Sequence, residues 1–151
     1  MMGLQTWPIE DAVKIEEGFR ARPYECPEGK KTVGYGFNID GWNWEMPKPV
    51  ADLWARLIVK KAEDLLLDYF GPAVWVCMGC ARQAALVSMV YQLGWTGFLM
   101  FTKMNRAIRV QNWTLAHDEC LASRAARQTP DRYARNARAL YTGEWQWGYG
   151  S

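Results

Sequence analysis

From about Val50 to Phe70, the residues Leu53, Trp54, Leu57, Ile58, Ala62, Leu65 and Leu66 recur at helical spacing, and 'GP' at 71 and 72 stops the pattern. The run reads as one long helix with an apolar side, and the rest of the chain has to be arranged around it. Before it, residues 8 to 17 read as a short helix with Thr6 as cap, Pro8 in the first turn, Ile9, Ala12 and Val13 on one side, and Gly18 as stop. Residues 22 to 38 then switch to short β-like pieces, 'RPYEC' and 'KTVGYGF', on either side of 'PEGK', whose Pro and Gly mark a reversal. After the long helix, 'AALVSMVYQLG', 'FLMFTKMNRAI', 'WTLAHDECLA' and 'PDRYARNARALYTG' give further helices separated by Gly, Thr or Pro. A hairpin therefore lies between helical segments, and the carboxy-terminal half is a helical lobe. No internal repeat is present, and only the tail 'EWQWGYGS' is compositionally odd.

A chain of 151 residues, 50% hydrophobic and 23% charged, buries about two thirds of its unfolded surface as one compact unit, so residues 1–151 are expected to form a single domain. Nine Trp, seven Tyr and five Phe serve both a core and a groove that holds sugar rings or bases. The net charge of +2 does not by itself indicate a nucleic-acid or membrane partner. Its distribution is uneven: residues 101 to 140 carry eight basic side chains against three acidic ones, while the first fifty residues carry eight acidic to six basic. A basic lobe of that kind suits long-range attraction to a polyanion, or is a solvated helical face. No apolar run approaches the roughly 18 to 20 residues of a membrane span, and 'MMGLQTWPIEDAVKIEEG' lacks a basic flank followed by an apolar block, so a soluble chain starting in the cytoplasm is expected. Cys26, Cys77, Cys80 and Cys120 are expected as free thiols, and 'CMGC' has no second CxxC or suitably spaced histidine to complete a zinc site.

The stretch 'EGFRARPYECPEGKKTVGYG', residues 17 to 36, gathers a carboxylate, a thiol and a hydroxyl around a turn. Glu17 ends its helix, where the negative end of the macrodipole disfavours an ionised carboxylate, and a carboxyl kept protonated is what a general acid requires. The helical wheel, however, puts Glu16 nearer the apolar centre. On periodicity alone two registers compete, Glu16 with Glu25 and Glu17 with Cys26. Gly34 and Gly36 allow the backbone to bend or approach closely behind them.

The spacing Glu17, eight residues, Cys26, five residues, Thr32 resembles the phage-type lysozymes of glycoside hydrolase family 24, which show Glu, then Asp or Cys, then Thr at those intervals. The flanking 'EEGFR', Tyr24, Gly29 and 'TVGYG' agree with it, and a shift by one residue would put Lys31 where the family has threonine. Farther on, 'ALVSMVYQLGWTGFLMFTKMNRAI', 'NWTLAHDECLASR', 'QTPDR' and 'YTGEW' resemble the family's carboxy-terminal lobe in the same order, so that the resemblance spans about residues 12 to 145.

This resemblance implies a mainly α-helical α+β fold: a small lobe with a β-hairpin at about 18–50, a long connecting helix, and a helical lobe at about 70–145 that includes the amino-terminal helix. It implies an endolysin muramidase that hydrolyses the β-1,4 bond between N-acetylmuramic acid and N-acetylglucosamine of peptidoglycan, with Glu17 as general acid and with Cys26 and Thr32 holding the attacking water of an inverting displacement. By the same carry-over Arg132 pairs with the catalytic glutamate, Gln92 lines the cleft, and Tyr35 of 'TVGYG' supports the substrate. Between Gly36 and 'RQAAL' the chain is shorter than the best-known members, and Trp42 and Trp44 are expected to line the resulting lip as sugar platforms. Cys26 stands where other members carry a carboxylate. A free thiol ordinarily titrates near 8.5, which makes it a poorer base at neutral pH, and it could instead act as a nucleophile. The implied partner is a glycan strand, met by a monomer without cofactor, metal, nucleic acid or stable membrane insertion. A holin would admit it from the host cytoplasm to the periplasm or wall. The competing classes are an inactive peptidoglycan-binding homologue and a nucleic-acid-binding helical protein that uses the arginines from 124 to 138.

Overall fold

The computed structural model describes residues 7–40 and 45–145. Helix α1 (Trp7–Glu17) leads into three antiparallel strands, β1 (Arg20–Glu25), β2 (Lys31–Gly34) and β3 (Phe37–Asn38), in the order β1-β2-β3. Seven more helices follow among the described residues: α2 (Lys48–Phe70), α3 (Pro72–Met78), α4 (Cys80–Leu99), α5 (Thr102–Arg109), α6 (Trp113–Leu121), α7 (Arg124–Gln128) and α8 (Pro130–Thr142). The architecture is mainly α, with a small β lobe, as the sequence implied. Thr6, Trp42, Trp44 and the tail from Gln146 lie outside the described residues.

The hairpin read from the sequence gains a third strand. 'KTVGYGF' cannot run straight, because Gly34 and Gly36 both adopt positive φ, +66° and +74°, and the chain folds back between them. Across the ladder Tyr24 faces Thr32, and Thr32 faces Asn38. Strand alternation puts those three side chains in a row on one face of the sheet. On β1 the register shifts between Arg20 and Tyr24, around Pro23, whose missing N–H is tolerated at a bulge.

The small lobe has its own core of Val33, Tyr35, Phe37, Ile39 and Met46, closed by Ala51 and Ala55 from the first half of α2. The second half of α2 places Val59, Ala62, Leu66 and Phe70 in a larger core with α1, α3, α4, α5, α6 and α8. One 23-residue helix thus serves both cores and joins the lobes. Its buried stripe differs from the one the large side chains suggested. Leu53 and Leu57 are 54% and 61% exposed, and the helix instead turns its alanines inward. Small residues let its backbone approach the sheet closely, and Trp54 covers the edge by stacking on Phe37 at 4.6 Å.

In the helical lobe, 'GP' ends α2 as expected and turns the chain into a further helix. Gly71 and Gly79, at φ +83° and +80°, bracket the short α3 that the sequence reading passed over. α4 is interrupted at Gly94, φ +72°, so 'FLM' finishes α4, and α5 begins afresh at Thr102. Asn112 and Ser123 cap α6 and α7 by accepting hydrogen bonds from the backbone N–H groups of Leu115 and Ala126, each at 3.1 Å.

Candidate active site

α1 is held in the large core by Ile9, Ala12 and Val13, and it stops at Gly18, φ +65°, where the chain turns into β1. Its last two residues are therefore fixed at the junction of the lobes. Here the two competing carboxylates part. Glu16 turns to α8, where the Arg135 guanidinium grips both its oxygens, Nη2 donating to Oε2 at 2.5 Å, and its side chain is only 2% exposed. Glu17 turns to the sheet, with its side chain 15% exposed.

A cleft of about 710 Å³ opens there. Glu17 lines it with the cross-strand row Tyr24, Thr32 and Asn38, with Cys26 beyond the end of β1, and with Tyr91, Gln92, Thr129 and Arg132 from the helical lobe; Glu16 and Arg135 reach its edge as a closed pair. Glu25, the partner in the competing register, does not line it. The structure thus brings Glu17, Cys26, Thr32, Arg132 and Gln92 to one cavity.

Each is held by identifiable contacts. Arg132 is buried on α8 and donates from Nη1 to Glu17 Oε1 at 2.5 Å, while its Nε and Nη2 donate to the hydroxyl and the carbonyl of Ser88 on α4 at 3.1 and 3.3 Å. Gln92 donates from Nε2 to Thr129 Oγ1 at 3.1 Å, and its buried Oε1 has no hydrogen-bond partner among the described residues. An acceptor so placed in a cleft wall suits a donor on a ligand. On the opposite lip the turn after β1 closes when Cys26 N–H donates to the Lys30 carbonyl at 2.9 Å. Thr32, 4% exposed, donates its hydroxyl to the same carbonyl at 3.0 Å.

That turn changes the standing of the thiol. Hydrogen bonding from the Lys30 backbone, with smaller help from the Glu28 backbone and the Thr32 hydroxyl, holds the Cys26 thiol below its ordinary range, against desolvation and the nearby Glu28 charge. The β1–β2 turn is a small anion-stabilising concavity. The thiol there is more readily ionised than its reference value indicates, and the same donors would suit a carboxylate.

Tyr35 is placed differently from the sequence expectation. Its side chain lies in the small-lobe core, 5% exposed, against Phe19 and Phe37, and its hydroxyl donates to Asp52 Oδ1 at 2.9 Å. From the β2–β3 turn its side chain points away from the cleft, so it packs in the small-lobe core rather than lining the cavity.

The close approach expected at Gly36 falls on Glu17, where a β-carbon would lie 2.6 Å from Oε2. Several other groups were missed. Tyr24 sits beside the site with its phenol raised, by burial first and then by the Glu17 charge. Tyr91 donates its hydroxyl to the Tyr35 carbonyl at 2.7 Å, from α4 across to the β2–β3 turn. Ser88 had a signal: it is the lone hydroxyl in the apolar 'AALVSMV', and a buried hydroxyl must have a partner. Tyr91 had none, because an aromatic residue on a core helix reads as packing.

Two lobes joined by a long helix, with a carboxyl at the end of the first helix facing a small sheet across a cleft, define a lysozyme-like protein. The family model described as phage lysozyme matches residues 14–132, a span that includes Glu17, Cys26, Thr32, Gln92 and Arg132. The chain belongs to the phage lysozyme family.

Proposed function

We propose that this chain is an endolysin muramidase that hydrolyses the β-1,4 bond between N-acetylmuramic acid and N-acetylglucosamine in peptidoglycan with inversion. The observation that carries this reading is that Glu17, at the end of α1, and the Cys26–Thr32 pair, on the hairpin, line one cleft. Glu17, on the helical side, donates a proton to the glycosidic oxygen as the bond to the anomeric carbon breaks. A water between the sugar and the hairpin attacks the opposite face of that carbon. Cys26, stabilised as an anion by its turn, accepts the water's proton, and the Thr32 hydroxyl orients the water because it both donates and accepts. Arg132 holds Glu17, and Gln92 presents a free acceptor to the sugar. Side chains carry both proton transfers, so no cofactor enters the scheme.

The biological role that fits this chemistry is host lysis, with a monomer held in the host cytoplasm until a holin admits it to the wall. The nucleic-acid alternative loses two of its arginines, since Arg132 and Arg135 grip Glu17 and Glu16 inside the cleft. Mass analysis of digested peptidoglycan tests the reaction. New reducing muramic ends support hydrolysis; anhydro ends or released peptides would replace it with a transglycosylase or an amidase; an undigested wall to which the protein binds would leave a catalytically inactive homologue.

A further inference from the structure

Both oxygens of Glu17 are confined by groups anchored on a single helix. Oε1 accepts from Arg132, which is itself held by Ser88 of α4. Oε2 lies against Gly36, and the peptide unit that contains the Gly36 nitrogen carries the Tyr35 carbonyl, the acceptor of the Tyr91 hydroxyl at 2.7 Å. Ser88 and Tyr91 are three residues apart on α4, on one helical face. Gly36 can occupy this place only because it has no β-carbon, at φ +74°. The Tyr91 ring packs against the cores of both lobes, while its hydroxyl makes the contact that crosses between them.

We propose that Tyr91 is a positioning residue for the cleavage reaction: its hydroxyl pins the Tyr35–Gly36 peptide against Glu17, so that the carboxyl keeps one orientation toward the glycosidic oxygen. This rests on the reading of Glu17 as general acid. Burial, above all, holds the Tyr91 phenol well above its ordinary range, which keeps its hydroxyl a donor. The role is geometric. A misplacement of about 1 Å at the acid is enough to slow proton transfer, because the reacting atoms must lie within about 3–3.5 Å in a near-attack arrangement.

The test is Tyr91→Phe, which keeps the ring and removes only the hydroxyl. On soluble peptidoglycan fragments kcat should fall about tenfold, the size of one hydrogen bond's net worth of roughly 1.4 kcal/mol. KM should stay within about twofold, and amide exchange at Gly36 should accelerate while that of α4 does not. In a Glu17→Gln background the same substitution should have no further effect on the residual rate. An unchanged kcat, a loss confined to KM, or an effect of equal size in both backgrounds would overturn the proposal. Should Tyr91→Phe fail to fold, the wild-type protein still decides: a slowly exchanging Tyr91 hydroxyl proton in NMR is expected, and a freely exchanging one would contradict it. If Glu17→Gln alone retains full turnover, the functional reading fails instead, and the two failures are distinct.

Discussion

At the scale of single residues, different partners distinguish two adjacent carboxylates that periodicity could not rank. Glu17 faces the hairpin, and Glu16 is buried against Arg135. Glu17→Gln should therefore lose most of the 10²- to 10⁴-fold that general acid catalysis contributes, and because it leaves the buried Arg132 charge uncompensated its melting temperature should fall as well, so kcat is read on the folded fraction. Glu16→Ala should lower stability without touching the chemistry. Removing one partner of a buried pair costs about 3–5 kcal/mol, so the melting temperature should drop by several degrees while the folded fraction keeps its kcat. Thermal melts beside turnover numbers decide the matter, and exchanged phenotypes would move the acid to Glu16.

Cys26 makes the second prediction at this scale. Its folded-state titration lies below the ordinary thiol value because the turn donates to the sulfur. If the anion is the base, kcat/KM rises as pH rises through a step below about 8.5, and activity falls as pH drops through it. The sign for stability is the same: a depressed acid favours the fold above its unfolded value and loses that contribution as pH falls through the folded one. Cys26→Asp should keep or raise activity and move the step toward about pH 4, while Cys26→Ser and Cys26→Ala should be weaker at every pH, since neither supplies an anion. A pH–rate profile of the three variants is the measurement. A dead Cys26→Asp with a normal fold would remove Cys26 from the role of base.

At the scale of elements, the β2–β3 turn is where backbone geometry and chemistry meet. Gly36→Ala places a methyl on Glu17 Oε2 and forces a side chain into the left-handed region. The backbone strain costs about 1–2 kcal/mol of stability. The displaced carboxyl should cost far more in rate than this strain accounts for, and parallel kcat and melting measurements separate the two. α2 offers a packing prediction. Ala55, fully buried where the helix meets the small-lobe core, should tolerate no enlargement, so Ala55→Leu should cost about 1–3 kcal/mol in denaturant unfolding, whereas Leu57→Ala on the exposed face should cost about 0.5 kcal/mol or less. These elements also show what the sequence could reveal. The long helix, the amino-terminal helix and the hairpin were legible from periodicity and turn residues, and the resemblance supplied the register that chose Glu17. The inward face of α2 was not legible, because large apolar residues dominate any pattern reading while close approach selects alanine. The third strand, the α3 corner and the break at Gly94 were hidden by positive-φ glycines, which read equally as stops or bends.

At the scale of the molecule, α2 and, through Tyr91, α4 reach both cores, and the cleft is lined from both lobes. Of the basic residues counted in the helical lobe, Arg132 and Arg135 are tied to Glu17 and Glu16 in the cleft, and outside it Arg109 stacks on Tyr69 at 4.4 Å. Excess duplex DNA at physiological salt should therefore leave peptidoglycan turnover unchanged, and inhibition that fades as salt rises would revive a polyanion-binding surface.

The central claim is that Glu17 and the Cys26–Thr32 pair act on one bond within one cleft. Proton NMR of the earliest product, recorded before the anomers equilibrate, tests it most directly. The account predicts a new reducing N-acetylmuramic acid end in the α configuration, from water attacking the face opposite the departing sugar. An initial β product would mean two successive displacements through a covalent intermediate and would contradict the water-holding role of the hairpin.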